Sequence, residues 1–213
     1  LLKLIMNQIL KTSGSIKVFG KDNYKYEKEV KDQIGFIFVD YPFLYGTTLE
    51  KNGSLLGSYY SQWDQEAFLN YLEKYHLDKN KKYGDLSKGM KTKFQLAFAL
   101  AHNPRLLILD EPTAGLDPIF RREFVDILCD LIKDETKSIL FSTHITSDLD
   151  KIADFITFID KGNIIFSESK EEIQEKYHIM KGPMSSIKLL DRVNCVGIKK
   201  QDTYFEALIE GKI

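Results

Sequence analysis

The chain has 213 residues, 43% of them hydrophobic and 29% charged, the proportions of a packed protein and far from those of disordered or collagenous chains. That length supports one sizeable core, or one core with a small lobe. With 30 basic and 31 acidic residues the net charge is -1, so composition carries no electrostatic footprint for nucleic acid or an anionic membrane surface.

The opening segment LLKLIMNQIL, Leu1 to Leu10, is apolar around most of a helix circumference and predicts a buried helix. No small-residue cleavage site follows it, and Lys11-Thr12-Ser13-Gly14 reads as a turn. No apolar run approaches the roughly 18 residues of a membrane span. An alternating strand follows at SIKVFG, then a short surface helix at YKYEKEVKD, then a second strand at IGFIFV. From Asp40 to Tyr83 the character changes. Turn residues at Tyr41-Pro42 and Gly46 lead into amphipathic helices carrying Tyr59, Trp63, Phe68, Tyr71 and Tyr75, which predicts a helical insertion.

Beyond Leu86 helices and strands alternate: helix KTKFQLAFALA, strand LLILD, helix PIFRREFVDILCDLI, strand SILFST, helix TSDLDKIA, and strands FITFI and NIIFSE. Continuously apolar strands separated by helices predict a sheet covered on both faces, hence largely parallel. From about Ser167 there is one more helix, SKEEIQEKY, and then a weakly patterned tail broken at Gly182-Pro183. The cysteines, Cys129 and Cys195, match no metal-ligand spacing, and Cys129 falls in an apolar helical pattern that predicts a buried thiol.

Three stretches carry chemistry. LLILDEPTAGLDP places Asp110 and Glu111 at the carboxyl end of a buried strand, where open α/β sheets bind ligands. Two adjacent acids there repel each other unless a cation or a metal-bearing phosphate sits beside them; alone, the string equally describes a strand ending in a solvated acidic turn. LSKGM puts Ser87 at a helix N-cap, and Gly89 lets an anion approach the backbone amides; alone, it is an ordinary capped helix. His144 ends the strand SILFST at the same edge of the sheet, where a neutral imidazole can donate to a terminal phosphate; a lone histidine there is more often a capping or packing residue.

In this order, LSKGM, LLILDEPTAGLDP and FSTH resemble the nucleotide-binding subunit of ATP-binding-cassette (ABC) transporters. TSGSIKVFGKD and KIADFITFIDKGNIIFSES match that family's flanking segments, so the resemblance runs over essentially the whole chain. It is greatest to the branch serving antibiotic and small-peptide exporters, where LSKGM commonly stands in place of LSGGQ.

The resemblance implies an α/β fold of the P-loop NTPase type, with a mainly parallel sheet, helices on both faces and an inserted α-helical subdomain. It assigns residues 1–38 and 86–166 to an ATPase core, 39–85 to the helical subdomain and 167–213 to a C-terminal extension. The function it implies is ATP hydrolysis powering export of a drug, antibiotic or peptide. Asp110 then corresponds to the acid that orients Mg²⁺, and Glu111 to the catalytic base that polarises water. Ser87 and Gly89 correspond to signature residues that contact the γ-phosphate of ATP held by the opposite subunit. Asp117 is the acid that communicates across the dimer, and His144 the switch that senses the γ-phosphate. The implied partners are a transmembrane permease and a second nucleotide-binding subunit, in a homo- or heterodimer without nucleic acid. The implied place is the cytoplasmic face of the membrane. A non-catalytic ABC-like module and a soluble ABC-type ATPase unconnected with transport are the alternatives.

Two departures stand out. The family's phosphate-binding loop, GxxGxGK[ST], has no counterpart, since none of Gly14, Gly20 and Gly35 begins such a pattern. The expectation is therefore a piece of a longer gene product, an ATPase when intact and inactive as these 213 residues alone. Second, where the family usually has a glutamine after the strand, this chain reads IGFIFVDYP; Val39 cannot ligate Mg²⁺, and Asp40 substitutes only if the loop shifts by one residue.

Overall fold

The first helix, α1 (Leu2–Ile5), is a single turn in the computed structural model, which describes residues 1–38 and 43–211. The helix predicted over ten residues stops early for two reasons. The buried Asn23 carboxamide donates to the carbonyl oxygens of Leu4 and Ile5, both at 2.9 Å, and Asn7 turns left-handed at φ 53°. Leu2 and Met6 join a core with Val18, Val30, Ile34, Phe36 and Ile108, whereas Leu1, Ile9 and Leu10 are exposed, contrary to a wholly buried segment. The predicted SIKVFG strand is a short hairpin, β1 (Lys17–Val18) with β2 (Lys21–Asp22). Its turn residues Phe19 and Gly20 both have positive φ, as a tight two-residue turn requires. Helix α2 (Glu27–Lys31) follows.

Strands β3 (Ile34–Ile37), β4 (Leu106–Asp110) and β5 (Ser138–Ser142) form a parallel sheet in the order β3-β4-β5. β3 is buried throughout and β4 at its three central residues, as their continuous apolar runs demand. β5 differs from the expectation of two covered faces, because among the described residues it is an edge strand and its Leu140 is exposed. Helix α5 (Lys88–Leu100) is buried at every residue from Phe94 to Leu100. Gly35 permits the close approach of this layer: a Cβ there would lie 2.6 Å from Leu107 Cδ2 and 3.0 Å from the Ala99 carbonyl.

The helical insertion consists of α3 (Leu49–Gly57), α4 (Gln65–Lys74) and a 3-10 turn at Tyr83–Asp85. Thr48 and Asp64 cap the two helices, each accepting a backbone N–H bond in its first turn. Aromatic rings fasten the insertion to α5, with Trp63 and Phe98 centroids 4.9 Å apart and Phe43 and Phe94 centroids 4.8 Å apart. Asp40 lies outside the described residues.

By contacts, Leu1–Lys151 form one compact unit and Ile152–Ile213 another. The first unit also holds α6 (Pro118–Leu131) and most of α7 (Thr146–Ile152). In the second, β6 (Phe155–Asp160) and β7 (Asn163–Ser169) pair antiparallel with each other. Helix α8 (Lys170–Lys176) starts with a capping box between Ser169 and Glu172. The tail read as weakly patterned is a three-stranded antiparallel sheet of β8 (Tyr177–Pro183), β9 (Asn194–Lys200) and β10 (Tyr204–Glu210), in the order β8-β10-β9. Its core is Leu190, Phe205, Ala207 and Ile209. Cys129 is half-buried rather than buried, and both cysteines are free.

Candidate active site

Because β4 and β5 run parallel with Asp110 opposite Ser142, their carboxyl ends coincide and the residues just beyond them meet. The Ser142 hydroxyl donates to Asp110 Oδ1 at 2.7 Å. The Glu111 backbone N–H is shared between the Ser142 carbonyl at 3.2 Å and the Ser142 hydroxyl oxygen at 3.1 Å. These bonds hold Glu111 left-handed at φ 48°, a conformation costing a non-glycine residue roughly 1–2 kcal/mol. Such strain persists where the surroundings over-determine it, and it recurs at functional sites. Here it turns the Glu111 side chain toward His144, whose Nδ1–H donates to Glu111 Oε2 at 2.9 Å. Glu111 is part-buried, while the His144 ring is largely exposed and within reach of a bound molecule.

Ser87, Gly89 and Asp117 come together in a different place. Ser87 caps α5 by accepting the Met90 N–H at 3.3 Å, and Asp117 caps α6 by accepting the N–H groups of Ile119 and Phe120 at 3.2 and 3.0 Å. A cleft of about 500 Å³ is lined by both residues with Lys88, Gly89, Gly115 and Phe120. Gly89 lies under the Phe120 ring, where a Cβ would come within 2.9 Å. Gly115 is left-handed at φ 68°, and Lys88 Nζ occupies the space a Cβ would need. The α5 N-terminus gives this cleft free N–H groups and positive potential. Asp110, Glu111 and His144 do not line it. The sequence-assigned residues thus form two groups, an acid–imidazole group at the sheet edge and a group at the starts of two helices.

Among the described residues no group of three or more His, Cys, Asp or Glu can hold a metal by itself. The Asp110 carboxylate, anchored through one oxygen, still fits Mg²⁺, which is commonly held by one or two carboxylates together with substrate phosphates. Sequence reasoning missed Ser142, although it stands two residues before His144, and it missed a polar network behind the site. The Thr113 hydroxyl donates to Asp148 Oδ2 at 2.8 Å, and Arg121 Nε and Nη2 donate to Asp148 Oδ1 at 2.9 and 2.7 Å. Only the threonine after Glu111-Pro112 hinted at it.

The family model described as ABC transporter matches residues 1–114. The ABC transporter ATP-binding protein YtrB of Bacillus subtilis is 29% identical over 83% of this chain and 60% of its own length. The bacitracin transport ATP-binding protein BcrA of Bacillus licheniformis is 34% identical over 77% of this chain and 54% of its own length. The chain therefore spans between half and two thirds of these relatives. Among solved structures, a dimeric ATP-binding cassette in a post-hydrolysis state with ADP and Pi has the same fold, with a TM-score of 0.68 at 22% identity over 79% of this chain and 78% of that one.

Proposed function

The chain belongs to the ABC transporter family, and from that membership we propose that its gene product is the ATP-hydrolysing subunit of an exporter of a drug, antibiotic or peptide. The observation that carries this reading is the Glu111–His144 pair beside Asp110 at the carboxyl edge of the parallel sheet. In the proposed reaction Glu111 accepts a proton from the attacking water. His144 steadies that carboxylate through Nδ1 and presents its exposed edge to the γ-phosphate. Asp110, fixed by Ser142, is the residue that would hold Mg²⁺, which when bound neutralises charge on the phosphates. Ser87 and Gly89 face the γ-phosphate of ATP bound to a second subunit, and Asp117 lies at the dimer contact. This division of labour agrees with the separation of the two groups and with the dimeric relative of the same fold.

The name of the bacitracin relative supports transport of an antibiotic; the partner proposed with it is a transmembrane permease, at the cytoplasmic membrane face. No helix among the described residues is long and apolar enough to cross a membrane. The proposed division is an ATPase core of residues 1–38 and 86–166, a helical subdomain of 39–85 that meets the permease, and an extension of 167–213. The test is phosphate release by the full-length gene product with ATP and Mg²⁺. Turnover that requires both supports the reading, and none at any protein concentration, with or without a permease partner, contradicts it.

A further inference from the structure

We infer that Asp148 is a positioning residue for the Glu111–His144 pair, acting through Thr113 and held in place by Arg121; this rests on the reading of Glu111 and His144 as hydrolytic. Two chain segments build the pair. One leaves β4 and carries Asp110, Glu111 and Thr113; the other leaves β5 and carries Ser142, His144 and Asp148. They are joined three times in chain order: Ser142 to Asp110, His144 to Glu111, and Asp148 to Thr113. The first two links are part-exposed, whereas the third is buried, with Thr113 2% and Asp148 4% exposed.

A buried carboxylate requires full hydrogen bonding and a countercharge. Asp148 has both, the Thr113 hydroxyl on one oxygen and two guanidinium N–H groups of Arg121 on the other. Arg121 stands on α6, whose first turn is capped by Asp117, so the same carboxylate also ties α6 to the segment after β5. The consequence is geometric. Glu111 sits in a left-handed conformation two residues before Thr113, and His144 lies four residues before Asp148, just ahead of α7. Releasing Thr113 therefore frees the segment beyond Glu111 to relax, and the carboxylate and imidazole separate although neither has been altered.

Asp148→Ala strips Arg121 of its carboxylate and endangers the fold, so the test is Thr113→Val, which keeps the side-chain shape and removes only the hydroxyl, with Thr113→Ser as rescue. In the full-length product Thr113→Val lowers kcat for ATP by about 10- to 100-fold, the scale of an ångström-level misplacement, with KM unchanged, and Thr113→Ser restores it. In a His144→Ala background the same change has little further effect, because the pair it positions is already gone. Three results overturn the inference: an unchanged kcat in Thr113→Val while Glu111→Gln is inactive; equal losses in Thr113→Val and Thr113→Ser; or the same fold-loss with and without His144, which marks a purely structural hydroxyl. A parent protein without ATP turnover overturns the functional reading itself, and this inference with it.

Discussion

His144 Nδ1 lies 2.9 Å from Glu111 Oε2, a bond between the first residue beyond one parallel strand and the second residue beyond its neighbour. It joins a part-buried carboxylate to an exposed imidazole. If both serve hydrolysis, His144→Ala slows ATP turnover by about two to four orders of magnitude, the scale of losing one positioned acid–base group. Steady-state phosphate release measures this, and an unchanged rate returns His144 to the role of a packing residue.

Ser142 makes both the bond to Asp110 and one of the bonds that hold Glu111 left-handed. Ser142→Ala leaves the backbone bond from Glu111 to the Ser142 carbonyl but removes both hydroxyl contacts. The expected cost is about 1–2 kcal/mol of stability, read from a denaturant midpoint, together with slower turnover. Full stability and full activity in this variant contradict the place given to Ser142.

His102 is buried against the Tyr60 ring, with centroids 4.0 Å apart, and its Nε2–H donates to the Ile34 carbonyl at 3.1 Å. Burial disfavours the imidazolium and lowers the His102 pKa below the ordinary 6.5. With the folded value depressed, the stability that the neutral ring contributes is fully present above about 6.5. It is lost as the pH falls from there through the lowered folded value, because the unfolded chain then binds the proton first. Denaturant midpoints at pH 7.5 and 5.5 therefore separate less in His102→Gln than in the parent. Equal separation in the two proteins rules out His102 as the source.

Gly53 on α3 lies under the Phe68 ring of α4, and a Cβ there would come within 2.2 Å of Phe68 Cε1. Both residues are buried, so the ring has no exposed place to go. Gly53→Ala should lower stability by about 1–3 kcal/mol despite its better helix propensity. Thermal unfolding measures it, and a raised Tm shows that the insertion repacks freely.

The parallel strands were legible because β3 and β4 are short apolar runs between helical patterns, and the helix start at Ser87 because capping chemistry is local. The end of α1 was not. It depends on Asn23, sixteen residues beyond Asn7, and no local pattern reports a side chain that arrives from elsewhere to bond the carbonyls of Leu4 and Ile5. The C-terminal sheet was legible in part: Phe205, Ala207 and Ile209 alternate inward, but β9 carries mostly exposed residues, so its pairing and not its pattern makes it a strand. At the site, motif order pointed to Glu111 and His144. The bonds of Ser142 to Asp110 and of Thr113 to Asp148 connect residues 32 and 35 positions apart, and only the parallel register brings them together.

The most direct measurement is ATP hydrolysis by Glu111→Gln in the full-length product, set beside nucleotide binding and oligomeric state. The substitution keeps the size of the side chain and a hydrogen-bond acceptor for His144, and removes only the capacity to take a proton. Hydrolysis falls by about two to four orders of magnitude, while ATP binding persists and ATP accumulates in a stable dimer by size-exclusion chromatography. Hydrolysis at the parental rate would show that Glu111 is not the base.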